Sequence, residues 1–104
     1  MIVELTPNAC VASLTAGQKY RVLGIEADSY RILNDQSEPC LYDPTVFLVI
    51  DSSEPDFWVS NFGDDGERYA YPPEWNHAGY FEDWHDNVPG VRDSFRLTLN
   101  TRFK

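Results

Sequence analysis

The residues best suited to chemistry are Glu82-Asp83-Trp84-His85-Asp86, with His77 a short way upstream. If residues 80–86 form a helical turn, Glu82 and Asp86 share a face, and His85 lies close to it. Carboxylates and an imidazole on one face are the donor set of a divalent metal site. The spacing matches no specific ligand motif, and a solvated acidic face accounts for it equally; no metal and no cofactor are expected. Asp64-Asp65-Gly66-Glu67 offers a second carboxylate group. It lacks the Asp-x-Asp-x-Asp-Gly spacing of a calcium loop, and Asp65-Gly66 suits a type I′ hairpin instead.

No Gly-x-Gly-x-x-Gly, Walker loop, Gly-x-Ser-x-Gly or His-Glu-x-x-His occurs, and each would be needed for the reaction class it marks. The two cysteines, Cys10 and Cys40, have no Cys-x-x-Cys neighbour and make no disulfide framework. They are expected reduced and buried, a bridge between them being the minority alternative. The chain reads as a non-enzyme.

Charge is more informative. The formal net charge is −9 from 8 basic and 17 acidic residues. Asp51 to Asn87 holds Asp51, Glu54, Asp56, Asp64, Asp65, Glu67, Glu74, Glu82, Asp83 and Asp86 against Arg68 alone; elsewhere the signs balance. Such a field repels phosphate backbones, which excludes nucleic-acid binding, and attracts a basic protein. The bland alternative is a solubilising surface. Trp58, Trp75 and Trp84 fall in the same segment. Trp58 reads as core and Trp75 is undecided. Trp84, ringed by acids, reads as an exposed anchor of the kind that dominates binding hot spots. The candidate protein-binding residues are therefore Asp64, Asp65, Glu67, Glu82, Asp83, Trp84 and Asp86.

These residues need a scaffold, and the sequence supplies one in residues 17–51. With 104 residues, 42% hydrophobic and 14% aromatic, the chain fits one domain with a compact core. Tyr20–Glu26 and Tyr30–Asp35 read as strands around the turn Ala27-Asp28-Ser29, with Leu23 and Ile25 on one face and Tyr20 and Val22 on the other. Gly24 in mid-strand marks a bulge or sharp bend. Glu38–Tyr42 follows as a short strand, its Pro39 suggesting an edge. A one-turn 3₁₀ step at 42–47 leads into Phe47-Leu48-Val49-Ile50, an apolar run that reads as a buried strand. A short edge strand at Ile2–Leu5 is also expected.

The phrases YRVLGIEADSYRILND and EPCLYDPTVFLVID resemble small bacterial SH3-like proteins, in which a 3₁₀ turn precedes the closing strand. The resemblance covers about a third of the chain. It implies a small SH3-like β-barrel and carries no catalytic residues. Tyr20, Tyr30 and Tyr42 are candidates for a shallow peptide groove, against the commoner role of capping the rim of the core.

After Asp51 the composition shifts. Ser53 is placed to cap a helical turn at 54–58, Glu67–Tyr71 to return from a hairpin, and Tyr80–His85 to form a helical turn. Ser94–Leu99 alternates and reads as a final strand with Phe95, Leu97 and Leu99 inward. The expected class is mainly β: one SH3-like barrel domain over 1–104, extended by extra strands and short helical turns.

Two functions follow. One is an interaction module holding a basic partner on its acidic 51–87 face, similar in size and charge to small bacterial immunity proteins that inhibit a basic toxin. The other is an accessory barrel that self-associates or binds a small ligand. No apolar run is long enough to span a membrane, and Met1–Glu4 carries no positive segment. A cytoplasmic monomer or homodimer is expected.

Overall fold

The computed structural model describes residues 1–103. The fold is mainly β, with seven antiparallel strands: β1 (Ile2–Leu5), β2 (Lys19–Glu26), β3 (Ser29–Leu33), β4 (Pro39–Tyr42), β5 (Phe47–Asp51), β6 (Val59–Phe62) and β7 (Arg68–Tyr71). A 3₁₀ turn at Pro44–Val46 leads into β5, and a second at Pro73–Trp75 leads to two helices, α1 (Tyr80–His85) and α2 (Val91–Arg102).

The organising strand is β2. Its first half pairs with β1, Val3 opposite Tyr20, while its second half lies between β3 and β7, Ile25 facing both Tyr30 and Ala70. The path β4-β3-β2-β1-β5 carries the five strands of the 1–51 segment, and the β6–β7 hairpin extends the sheet from β2. Residues after Asp51 thus do two things: the hairpin enlarges the sheet, and the helices pack against it.

A bulge sets the two halves of β2 apart. Val22 pairs with Ile32 but Gly24 already pairs with Arg31, leaving Leu23 as the extra residue. An inserted residue breaks the period-2 alternation. Val22 therefore points into one cluster and Leu23 into another, and Ile25 returns to the side of Val22. The expectation that Leu23 and Ile25 share a face fails for this reason. Gly24 is required here, because a Cβ would sit 2.1 Å from the Tyr71 ring and 2.8 Å from the Ala70 carbonyl oxygen.

The first cluster is the core of the strand segment: Val3, Leu5, Tyr20, Val22, Ile32, Phe47, Trp58 and Ala70. The second is almost wholly aromatic and joins β2 and β7 to the helices: Leu23, Tyr71, Trp75, Tyr80, Phe81, Trp84 and Phe95. Trp75, 1% exposed, stacks between Phe95 at 4.6 Å and Phe103 at 5.5 Å.

Three local expectations are corrected. Residues 94–99 belong to α2, not to a strand. Val91, Phe95, Leu99 and Phe103 recur every fourth residue and meet the second cluster, so the helical period overrides the short alternation. Leu97, expected inward, is 66% exposed. In β5 only Phe47 is buried; Leu48, Val49 and Ile50 are about half exposed, because β5 pairs with β1 alone and forms an edge. The 54–58 segment is a reverse turn closed by Trp58 N–H donating to the Pro55 carbonyl, and Ser53 does not cap it, since its amide and hydroxyl donate back to the Asp51 carboxylate. The indole N–H groups of Trp58 and Trp84 are buried with no hydrogen-bond partner among the described residues; the apolar area of the rings offsets that loss.

Candidate functional site

Helix α1 explains where the acidic residues go. Gly79, at φ 83°, turns the chain into a six-residue helix that buries Tyr80, Phe81 and Trp84. These positions form one face at helical spacing, so Glu82, Asp83, His85 and Asp86 fall on the other and are exposed. Trp84 is therefore not the exposed anchor expected. It is 8% exposed, lies 6.1 Å from Phe95 and is covered by the Arg92 guanidinium 4.2 Å above its ring. Arg92 also donates to the Trp84 carbonyl.

The second acidic group forms the tip of the β6–β7 hairpin. The loop is not type I′. Gly66 N–H donates to the Gly63 carbonyl, Gly63 N–H donates to the Glu67 carbonyl, and Gly66 alone is left-handed at φ 80°. That is a three-residue loop with a glycine bulge. Asp64 and Asp65 point outward, while the Glu67 carboxylate accepts from the Asp65 amide.

Between the hairpin and α1 lies an open cleft of about 400 Å³. Glu26, Tyr69, Tyr71, Trp75, His77 and Glu82 are among its walls. A hollow of about 310 Å³ on the other side of Glu26, Phe81 and Glu82 is lined by Arg31, His85 and Asp86. The structure therefore brings Glu82 and Asp86 to the same region as Glu26. Asp64, Asp65, Asp83 and Trp84 line neither space.

Beneath this region sits a buried arginine. Arg31, 5% exposed, donates to the Glu26 carboxylate at 3.2 Å, the Tyr71 hydroxyl at 3.2 Å and the Pro39 carbonyl at 3.0 Å. Its guanidinium stands 4.0 Å over the Phe81 ring. Tyr71 donates to the same Glu26 oxygen at 3.0 Å. Burial pushes the Tyr71 hydroxyl far up, and Glu26 adds to the rise while Arg31 opposes it; Tyr71 stays a proton donor. At the cleft wall, desolvation raises the Tyr69 hydroxyl, and the carboxylates of Glu67 and Glu26 push it further up.

Glu26, Arg31, Tyr69 and Tyr71 were not singled out from the sequence as site residues. One signal was available: Arg31 interrupts the apolar strand Tyr30-Arg31-Ile32-Leu33, and a buried arginine requires partners. Tyr69 and Tyr71, two apart in a strand, share a face, which places both toward one cleft.

The remaining candidates are resolved simply. Among the described residues, no three His, Cys, Asp or Glu side chains converge to hold a metal ion. Cys10 and Cys40 are both free; Cys10 is exposed, against the expectation of burial, and Cys40 is half-buried. Burial, then Glu38, pushes the Cys40 thiol up, which opposes thiolate chemistry. Tyr20 belongs to the first cluster and Tyr30 and Tyr42 pack against it. Tyr20 donates to Asp35 and Tyr42 to the Ala12 carbonyl, so all three serve the rim of the core. No helix among the described residues is long and apolar enough to cross a membrane. Compared with protein-family models, curated proteins and solved structures, the chain matches none.

Proposed function

We propose that this chain is a non-enzymatic interaction module that holds a basic protein partner. Its face consists of Glu82 and Asp83 on α1 and Asp86 at its C-terminal end, together with Asp64, Asp65 and Glu67 on the β6–β7 hairpin. One observation carries the reading. The segment 51–87 has ten acids and one base, and that base, Arg68, is already spent on Glu54 through two hydrogen bonds at 2.8 and 2.6 Å. Among the described residues, no cation lies within ion-pair distance of Asp64, Asp65, Glu82, Asp83 or Asp86. An uncompensated field of this kind steers a basic partner and speeds its approach.

The scaffold is read as an SH3-like barrel, supported by the pairing path β4-β3-β2-β1-β5 and by the 3₁₀ turn before β5. An inhibitor of a basic toxin, acting in the cytoplasm, is the form that best suits a small acidic chain with unpaired cysteines. The test is copurification with the products of adjacent genes at low and high salt. Binding should weaken steeply with added salt, and Asp83→Lys with Asp86→Lys should abolish it while the thermal midpoint is retained. Salt-insensitive capture, or capture unaffected by that double variant, overturns the reading.

One observation favours a second reading, an accessory barrel that pairs with itself. Leu48, Val49 and Ile50 are about half exposed on the edge strand β5, and such edges template strand pairing. Sedimentation distinguishes it: a dimer dispersed by Val49→Lys supports self-association, and a monomer at all accessible concentrations removes it.

A further inference from the structure

The cleft between β7 and α1 has an unusual balance of hydrogen-bonding groups. Two of its donor groups are spent. Tyr71 O–H goes to Glu26, and Asn76 Nδ2 donates to the carbonyls of Val59 and Tyr69 at 2.8 and 3.2 Å. Three of its acceptors are not. Among the described residues, both hydrogen bonds to the Glu26 carboxylate fall on Oε1 and none reaches Oε2. Among the described residues, no hydrogen bond reaches Asn76 Oδ1 or the Glu82 carboxylate. Glu26 is also held in place, because Arg31 and Tyr71 grip its other oxygen, so its free lone pairs are presented at little entropic cost. The ring of Tyr69 stands half-exposed on the same wall.

Fixed acceptors beside an aromatic wall call for a flat, multi-donor cation. A guanidinium meets this description better than an ammonium, since it stacks on rings and offers several N–H groups in one plane. The space, about 400 Å³, is at the small end of ligand pockets and suits one long side chain. We propose that this cleft receives an arginine side chain of the basic partner, with Glu82, Glu26 Oε2 and Asn76 Oδ1 accepting its N–H groups and Tyr69 covering its face. The inference rests on the basic-partner reading for the source of the arginine, but the cleft can be tested without any partner.

The probe is N-acetyl-arginine methylamide, titrated into the ¹⁵N-labelled protein at low salt, beside the lysine and norleucine analogues. The arginine probe should move the resonances of Tyr69, Asn76, His77 and Glu82, the lysine probe the same set with weaker affinity, and norleucine none. Tyr69→Ala should weaken the arginine probe by roughly three- to thirtyfold, the span of a partly desolvated cation–π contact. Glu82→Gln, on an exposed helical position that packs against nothing, should weaken it severalfold while leaving the norleucine spectrum unchanged. Shifts scattered over all acidic surfaces, equal binding of norleucine, or no effect of either variant overturns the proposal. If Tyr69→Ala and Glu82→Gln spare partner capture while Asp83→Lys with Asp86→Lys abolishes it, the cleft inference fails and the acidic-face reading stands. If the probe binds in the cleft but no basic partner is found, the reverse holds.

Discussion

The two cores of this molecule are built on different principles. The first core draws on aliphatic residues of paired strands, Val3, Leu5, Val22 and Ile32 among them, and the backbone ladder fixes their positions. The second core holds Leu23 of β2 and otherwise aromatic rings, Tyr71 on β7 and the rest on a short helix, a 3₁₀ turn and α2. There the rings themselves set the geometry, through contacts such as Trp75–Phe95 and Tyr71–Phe81 at 4.6 and 5.2 Å. A six-residue helix is too short to be stable alone, so α1, which carries the acidic face, depends on its buried Tyr80, Phe81 and Trp84. The strand-built core can be specified by local alternation; the acidic face can be specified only by the packing beneath it.

The sharpest way to break this comparison is to empty each core in turn. Trp75→Ala removes the ring at the centre of the aromatic stack and should cost about 3–5 kcal/mol. Ile32→Ala in the first core should cost about 2–5 kcal/mol. Hydrogen exchange separates them. Trp75→Ala should expose the amides of α1 and α2 while β1–β5 keep much of their protection, as a sub-global opening does. Ile32→Ala should lower protection throughout. Equal losses everywhere in both variants would mean that the two cores form one cooperative unit.

Arg31 ties the two regions, since it lies on β3 and stacks on Phe81 of α1. Removing one partner of a buried ion pair typically costs about 3–5 kcal/mol. Arg31→Ala should fall near the lower end, about 3 kcal/mol, because Glu26 keeps the Tyr71 hydrogen bond and its side chain is 32% exposed. Arg31→Met retains the stem against Phe81 and should recover part of the loss in a denaturant titration. If Met is no better than Ala, charge rather than packing joins the regions.

A smaller effect tests the bulge. Gly24→Ala places a methyl against the Tyr71 ring and the Ala70 carbonyl, and overpacking of this kind costs about 1–3 kcal/mol. Tyr71→Ala in the same chain should relieve only part of it, because the Ala70 carbonyl remains. The two costs should therefore combine to less than their sum. Full additivity would show that the ring and the new methyl do not meet.

The contrast between the cores also explains what was legible. Strands β2 and β3, the Gly24 bulge, the 3₁₀ step and the edge position of Pro39 could be read from the sequence, because each is dictated by neighbours within a few residues. The outcome of the bulge was not readable: that Leu23 is the extra residue, sending Ile25 back toward Val22, depends on β7, more than forty residues further along the chain, approaching Gly24. Ser94–Leu99 was misread because six residues with alternate apolar positions satisfy both periods, and only Val91 and Phe103 outside that window tip the balance to a helix. Trp84 was misread for a related reason. Its acidic neighbours suggested solvent, yet on a helix the adjacent residues point elsewhere, and the ring shares its face with Tyr80 and Phe81. The acidic residues themselves were placed correctly at the surface; the cleft between them was hidden because Glu26, Tyr69 and Glu82 meet only through tertiary packing.

The smallest effect concerns two surface ion pairs, one serving each region. Glu54–Arg68 fastens the 52–58 segment to β7, and Glu74–Arg102 fastens the second 3₁₀ turn to α2, each closing to 2.6 Å. The hydrogen bonds from Arg68 hold the Glu54 carboxyl below its ordinary value of 4.5, and those from Arg102 do the same for Glu74. A carboxyl lowered by folding is protonated first in the unfolded chain as pH falls. Its contribution is therefore complete above the ordinary value and is lost as pH drops through the lowered one. Both side chains of the Glu54 pair are about one-third exposed, at 37% and 33%, so solvent screening limits the pair to a few tenths to about 1 kcal/mol. The gap in stability between wild type and Glu54→Gln should be fully open at pH 7 and should close as pH falls below 4.5; a gap that persists at acid pH would mean Glu54 acts by packing. Glu74→Gln should follow the same pH course but differ in where it is felt, loosening α2 amides and not those of β6 and β7. Were both variants to loosen the same amides, the distinction between a strand-built and a ring-built core would lose its support at the surface.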